Sequence, residues 1–199
     1  MSISVDYYFT PQSPWTHLGH QRFVNAATSA GAKVRVMPVD FGKVFAVSGG
    51  LPLSKRAPQR QAYRLLELKR FSEHLKQPLV LTPKFFPVGG DPAALLILAV
   101  DAHDGADAAL KVSGAIFSAV WAEERNIADE AVLSEILSAC GLPNDRLAGS
   151  KDPAIQAAYD ACTQQAIGAG VFGAPSYVID GEIFWGQDRL DFVERRLAA

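Results

Sequence analysis

The stretch "ISVDYYFTPQSPWTHLG", residues 3–19, contains the signals that decide the fold. Residues 3–9 are rich in β-branched and aromatic side chains and predict a strand. After a short polar turn, Ser13 and Pro14 begin a helical pattern, because serine is favoured at the N-cap and proline at the first helical position. The Ser13 hydroxyl could also take part in binding or catalysis, because a helix N-terminus favours a bound anion.

The composition is that of a globular protein. The chain has 199 residues, of which 49% are hydrophobic and 20% are charged, enough for one large domain or a domain with an insertion. A net charge of −2 argues against broad binding to nucleic acid or to an anionic membrane. No signal-peptide pattern is present at the N-terminus, which predicts a cytoplasmic protein, and the apolar stretch at 93–100 is too short to span a bilayer.

The flanks and the middle of the chain differ in periodicity. A helix is predicted at 14–30 and a second strand at 33–39, which gives a βαβ unit with parallel strands. Near the other end, the Asp180-Gly181 turn signal joins two short strands, and a final helix follows. From about 42 to 170 there is no strand alternation, and helices are predicted at 58–75, 91–103, 107–124, 129–141 and 152–170.

This layout predicts an α/β protein with a thioredoxin-like fold and a large all-helical insertion between its βαβ and ββα halves. The thioredoxin-like domain is predicted at 1–41 and 171–199, and the helical insertion domain at 42–170. Folding the two flanks together produces one small mixed sheet with helices on both faces.

In such a layout the reactive group lies at the N-terminus of the first helix, where redox members carry C-x-x-C. Here the equivalent residues run from Ser13 to Thr16, so a disulfide oxidoreductase is disfavoured. Cys140 and Cys162 lie elsewhere and are interpreted as small buried hydrophobes. A serine hydroxyl at this position can instead donate a hydrogen bond to the thiolate of a bound thiol such as glutathione. The four histidines lack metal-ligand spacing, so no metal site is predicted.

A second informative stretch, "GVFGAPSYVIDGEIFWGQDRL", covers residues 170–190. With "DYYFTPQSPWTHLGHQRF" and the helical block between, it resembles the 2-hydroxychromene-2-carboxylate isomerases and kappa-class glutathione transferases of the DsbA-like thioredoxin family. The resemblance implies that Ser13 activates glutathione and that Ala174 and a cis Pro175 hold the tripeptide backbone. It places Trp185, Gly186, Gln187 and Asp188 around the γ-glutamyl end. From the local pattern alone, Asp188 could equally be the N-cap of the last helix.

The segment "GGLPLSKRAPQRQ" departs from the family pattern, in which an Asn precedes an Arg that contacts substrate. One alignment puts Lys55 at that Asn and keeps Arg56, and another puts Gly50 at an Asn. Lys55 and Arg56 could bind a substrate carboxylate or the glycine carboxylate of glutathione. The alternative is that the basic run is the solvated face of a helix; the run consists of Lys55, Arg56, Arg60, Arg64, Lys69 and Arg70.

The resemblance therefore implies a glutathione-dependent isomerase of the 2-hydroxychromene-2-carboxylate type, or one acting on a related aromatic keto acid. The alternatives are a kappa-type glutathione transferase or peroxidase and, from another class, a non-catalytic binding protein. The expected partners are glutathione and a small aromatic carboxylate, with no nucleic acid and no membrane. Family members are often dimers, so a homodimer is possible.

Overall fold

A four-stranded mixed sheet lies at the centre of the computed structural model, which describes residues 3–198. The strands are β1 (Ser4–Phe9), β2 (Lys33–Pro38), β3 (Ser176–Ile179) and β4 (Glu182–Trp185). The helices are α1 (Pro14–Ser29), α2 (Phe41–Ser48), α3 (Pro58–Leu75), α4 (Asp91–Asp104), α5 (Ala106–Trp121), α6 (Glu130–Ala139), α7 (Asp145–Gly149), α8 (Pro153–Gly168) and α9 (Leu190–Leu197), with 3-10 turns at Leu53–Lys55 and Gln187–Arg189.

The sheet joins the two ends of the chain. Its strand order is β2-β1-β3-β4, with β1 parallel to β2 and antiparallel to β3. The hairpin between β3 and β4 turns at Asp180 and Gly181, whose φ angles of 49° and 83° are those that an Asp-Gly turn supplies. The predicted thioredoxin-like fold is thus confirmed, since the βαβ and ββα halves form one mixed sheet.

Helices cover both faces of this sheet, as predicted. Tyr7 and its neighbours on one face pack in a cluster that includes Phe23 of α1 and Val193 of α9. On the other face, Tyr8 belongs to a cluster that includes Val44 of α2 and Tyr159 of α8. The alternation along β1 explains the division, because successive side chains of a strand point to opposite faces.

The segment between the two halves is helical, and within residues 3–198 every strand lies in 4–38 or 176–185. Two helices were missed by the sequence prediction, α2 and the short α7. The Asp91-Pro92 pair predicts Asp91 as the N-cap of α4, and this is wrong: Asp91 is the first helical residue, after Gly90. Its carboxylate accepts a hydrogen bond from the Tyr159 hydroxyl at 3.1 Å. No helix in the described part of the chain is both long and apolar enough to cross a bilayer.

A buried histidine connects the sheet and α1 to the helical segment. The Tyr7 hydroxyl donates to Nδ1 of His20 at 3.2 Å, and Nε2 of the same ring donates to the Leu110 carbonyl at 2.9 Å. His17, one turn earlier, hydrogen bonds through Nε2 with the Pro78 carbonyl at 2.9 Å. Burial lowers the pKa of both histidines, that of His20 to about 4, so both rings are neutral at pH 7.

Candidate functional site

A cavity of about 590 Å³ lies where α3 faces the ends of the sheet, and we call it the α3 cavity. Its volume is within the range of roughly 300–1,000 Å³ that is typical of small-ligand sites. Three parts of the chain form its walls: the start of α1, the helix α3 together with Arg56 two residues before it, and the segments flanking β3 and β4. The lining residues are Trp15, Arg56, Gln59, Arg60, Tyr63, Arg64, Glu67, Phe71, Ala174, Trp185, Gly186, Gln187, Asp188 and Arg189.

The strand register brings the N-terminus of α1 beside the loop that precedes β3. Ser176 pairs with Tyr8, so Pro175 lies level with the end of β1, from which the chain leads to Ser13. The Ala174–Pro175 peptide bond is cis, which confirms the prediction. The Ser176 hydroxyl donates to the Gly173 carbonyl at 2.7 Å, and the Gly186 amide donates to the Pro175 carbonyl at 2.9 Å. The first bond is local, between the loop and the first residue of β3, and the second joins the loop to the end of β4.

The main chain of Ala174 is available to a ligand. Neither its N–H nor its carbonyl hydrogen bonds with any residue in 3–198. Ala174 itself lines the α3 cavity and is only partly buried. Because a free main-chain pair accepts an extended peptide as an added strand would, this loop can hold a peptide backbone.

Ser13 is the N-cap of α1, as the local sequence predicts. Its Oγ accepts a hydrogen bond from the Thr16 amide at 3.2 Å, and Pro14 occupies the first helical position. The side chain is 7% exposed and does not line the α3 cavity, whereas Trp15 does. A serine hydroxyl has two acceptor lone pairs and one donor. Capping therefore leaves the donor free, and its proton is donated to no described residue.

The segment after β4 is shaped by two glycines. A side chain at Gly173 would collide with the indole of Trp185, whose outer side packs edge-on against Phe172 at 4.8 Å between ring centres. Gly186 has a φ of 104°, a conformation that L side chains rarely adopt. The missing side chain at Gly173 thus leaves room for the Trp185 indole at the edge of the α3 cavity, and Gly186 permits the turn that follows it.

Asp188 and Gln187 occupy the 3-10 turn that follows. The interpretation of Asp188 as an N-cap is wrong, because α9 begins at Leu190 and has no side-chain cap. The Asp188 carboxylate instead pairs with Arg189 at 2.6 Å. The Gln187 side chain is buried, and neither atom of its amide hydrogen bonds with a described residue. The Gln187 amide thus has unused hydrogen-bonding capacity next to this end of the cavity, whereas the Asp188 carboxylate already has one ion pair.

The wall formed by α3 carries cations and aromatic rings. The Arg64 guanidinium lies over the rings of Phe86 and Trp121, at 5.4 and 5.7 Å from their centres. Burial, and secondarily the nearby Arg56 guanidinium, lowers the pKa of Arg64 to about 10. At the other side of the wall, Phe71 meets Trp15 edge-on at 6.0 Å.

Of the two cations predicted to bind substrate, one lines the α3 cavity and the other does not. Arg56 lines the α3 cavity, and its Nε donates to the Leu51 carbonyl at 2.8 Å. Lys55 is exposed in the preceding 3-10 turn and does not line the cavity. Arg60 and Arg64 join Arg56 on the wall, and sequence reasoning missed this. The spacing 60, 64, 67, 71 within α3 was the signal, because residues three or four apart share one face of a helix.

Known proteins resemble the chain over nearly its whole length. The model of the DSBA-like thioredoxin domain family matches residues 4–198. A 2-hydroxychromene-2-carboxylate isomerase of Pseudomonas putida is 30% identical, covering 96% of this chain and 92% of that protein. A protein of the same name from Sphingobium xenophagum is 28% identical and covers 99% of both chains. A solved 2-hydroxychromene-2-carboxylate isomerase superposes with a TM-score of 0.82 at 26% identity, covering 98% of this chain and 94% of the other.

Proposed function

The chain belongs to the DSBA-like thioredoxin domain family, and we propose that it is an isomerase that interconverts 2-hydroxychromene-2-carboxylate and its open-chain benzylidenepyruvate isomer. The isomerase relatives support the activity, since two of them match at 28% and 30% identity over almost the full length of both partners. A closely related aromatic keto acid is the other substrate that the same site could accept.

The α3 cavity is the observation that carries this proposal. One wall presents the free main chain of Ala174 beside the N-terminus of α1, and the other presents the guanidiniums of Arg56, Arg60 and Arg64. Aromatic rings line the space between them. An aromatic carboxylate needs both an apolar contact for its ring and a cation for its charge, and arginine meets a carboxylate with two parallel hydrogen bonds.

We further propose that glutathione is the co-substrate and binds along the wall formed by the start of α1 and the β3–β4 segments. Three features fit a γ-glutamyl tripeptide: the unpaired main chain of Ala174, the buried amide of Gln187 and the carboxylate of Asp188. Asp188 would face the ammonium group, with Trp185 and Gly186 beside it. Pro175 would keep the Ala174 main chain turned toward the tripeptide. Glutathione would supply a nucleophilic thiolate.

Ser13 and the α1 N-terminus would stabilise that thiolate. A free thiol with a pKa near 8.5 is only a few per cent ionised at pH 7, and lowering the pKa by about two units requires roughly 3 kcal/mol. A helix N-terminus contributes about 0.3–2 kcal/mol, and a hydrogen bond to a charged group about 1.5–3 kcal/mol. The free donor of Ser13 together with the α1 terminus is sufficient for this shift.

Two other functions fit the fold. A kappa-type glutathione transferase or peroxidase would need an apolar acceptor site, and the guanidiniums of Arg56, Arg60 and Arg64 in the α3 cavity favour the isomerase instead. A non-catalytic binding protein would keep the cavity without the reaction. Both alternatives predict that the protein does not convert 2-hydroxychromene-2-carboxylate, whereas the proposal predicts that it does.

The proposal is tested by mixing the purified protein with 2-hydroxychromene-2-carboxylate and following the ultraviolet absorbance of the open-chain isomer. We expect rapid equilibration only when protein and glutathione are both present. Equilibration no faster than in buffer would refute the isomerase. A fast reaction that is the same without glutathione would keep the isomerase and refute the co-substrate.

A further inference from the structure

Arg64 differs from most arginines of the described chain. Arg35, Arg70, Arg146 and several others pair with a carboxylate. Arg64 is half-buried, yet no carboxylate of residues 3–198 lies within 4.0 Å of its nitrogens. A buried charge without a partner is costly, and this cost is relieved when an ion of opposite sign binds.

The surroundings of Arg64 orient its donors. Phe86 and Trp121 lie against the guanidinium, so aromatic contacts stabilise it without using its N–H groups. The indole Nε1 of Trp121 is also buried and has no described acceptor. Of the two, only Arg64 lines the α3 cavity, so the guanidinium N–H groups are the donors that this corner offers to a bound ligand.

Arg64 has like-charged rather than opposite neighbours on the cavity wall. Arg56 lies close enough for its charge to act on Arg64, and Arg60 lines the same wall. Of the acids that line the cavity, Glu67 pairs with Arg70 and Asp188 pairs with Arg189. The positive charge of this wall is therefore uncompensated within the described residues, which favours an anionic ligand.

We propose that Arg64 is the residue that binds the carboxylate of the aromatic substrate. This inference rests on the proposed function and names the protein group that pairs with the charge of the substrate. Arg56 and Arg60 are less suited to the role. Arg56 already uses its Nε in a bond to the Leu51 carbonyl, and Arg60 is exposed, where ion pairs contribute little. Arg64 alone combines partial burial, aromatic support and free donors.

Kinetics of Arg64→Met test the assignment, with Arg195→Met as the matched control. Arg195 also carries its guanidinium over a ring, that of Phe192 at 5.5 Å, but lies on α9 outside the cavity. For Arg64→Met we expect a loss of about 10- to 100-fold in kcat/KM for the chromene carboxylate, because a charged hydrogen bond is lost. Glutathione affinity should stay within twofold of wild type, and the control should be unaffected.

Three outcomes would overturn the assignment. One is a chromene kcat/KM within twofold of wild type in Arg64→Met. Another is an equal loss in glutathione affinity, which would place Arg64 on the tripeptide. The third is an equal loss for the methyl ester of the substrate, which lacks the charge and should be indifferent to Arg64.

A binding measurement keeps this test separate from the isomerase proposal. Calorimetric titration with salicylate and with salicylamide, its neutral analogue, needs no turnover. Wild type should prefer salicylate, and Arg64→Met should lose the preference, whether or not the chromene is isomerised. An unchanged preference overturns the inference even if the enzyme is active. Should Arg64→Met fail to fold, Arg64→Lys carries the test: it keeps the charge without the paired donors, and should bind salicylate several-fold more weakly.

Discussion

The two walls of the α3 cavity are built on different principles. The wall near the sheet presents the unpaired main chain of Ala174. Hydrogen bonds to the Gly173 and Pro175 carbonyls on either side of it fix its position. The wall formed by α3 presents long side chains on a helix whose one buried residue is Leu68. Main-chain groups cannot be changed by substitution, whereas cations on a helix face can. The first wall suits a constant ligand, and the second can be adapted to a particular acceptor.

The largest effect should come from Ser13→Ala at the N-cap of α1, two residues before Trp15 of the first wall. We expect kcat/KM with glutathione to fall at least 100-fold, which is roughly the effect of removing one preorganised donor to a developing anion. Stability should fall by only about 1 kcal/mol, the usual cost of losing an N-cap. Steady-state kinetics and urea unfolding measure the two effects.

Ser29→Ala is the matched control, since it makes the same change at the exposed far end of α1. If Ser13→Ala loses stability but keeps activity within threefold of wild type, Ser13 is an N-cap only and has no catalytic role.

The free energy of unfolding should depend strongly on pH because of His20, at the junction between the sheet and the helical segment. The pKa of His20 is about 4 in the folded protein, below its value of 6.5 in a model peptide. Between these values the unfolded state binds more protons, so stability falls as the pH falls from 6.5 toward 4. The shift corresponds to about 3 kcal/mol. Urea unfolding at several pH values should show this slope reduced in His20→Gln.

His103→Gln is the control, because His103 is exposed on α4. Equal pH slopes for wild type and His20→Gln would mean that the buried ring does not couple stability to protonation.

A smaller effect, about tenfold, is expected from Gly173→Ala. The added methyl would collide with the Trp185 indole and push it from the rim of the α3 cavity. We expect glutathione to bind about tenfold more weakly, with kcat at saturating glutathione less affected. Gly168→Ala is the control, since open space surrounds that position. Calorimetric titration with glutathione measures the change. Equal glutathione affinity in both variants would show that Trp185 is not part of the glutathione site.

The smallest effects separate the two cations before α3. Arg56→Ala should lower kcat/KM for the chromene carboxylate several-fold, because Arg56 lines the cavity near Arg64. Lys55→Ala should change it less than twofold, because Lys55 is exposed and lies off the cavity wall. The reverse order would restore Lys55 as the substrate cation that the family alignment suggests.

Local signals predicted the fold well and the α3 wall poorly. Ser13-Pro14 and Asp180-Gly181 work through neighbouring residues, so the cap and the hairpin could be predicted from the sequence. Asp91 and Asp188 also have cap-like patterns, but neither is a cap. Asp91 lies in the first turn of α4 and accepts a hydrogen bond from the remote Tyr159, and α9 begins two residues after Asp188. The cis bond before Pro175 was predicted through the family resemblance.

Arg64 shows why the rest was out of reach. Its spacing from Arg60 marks a shared helix face, but a charged face is usually solvated, and nothing local indicates otherwise. The residues that bury it, Phe86 and Trp121, are remote in sequence and meet it only in the folded chain. The same holds for the Ala174 main chain, whose availability depends on the pairing of both neighbouring strands.

The ionisation of bound glutathione tests the central claim most directly. Thiolate absorbance is titrated across pH for free glutathione and for glutathione saturated with wild-type protein or Ser13→Ala. We predict a midpoint about two units below that of free glutathione in the wild-type complex, and a midpoint close to the free value in the variant. A wild-type complex that titrates like free glutathione would contradict the assignment of Ser13 and the α1 N-terminus as the thiolate site.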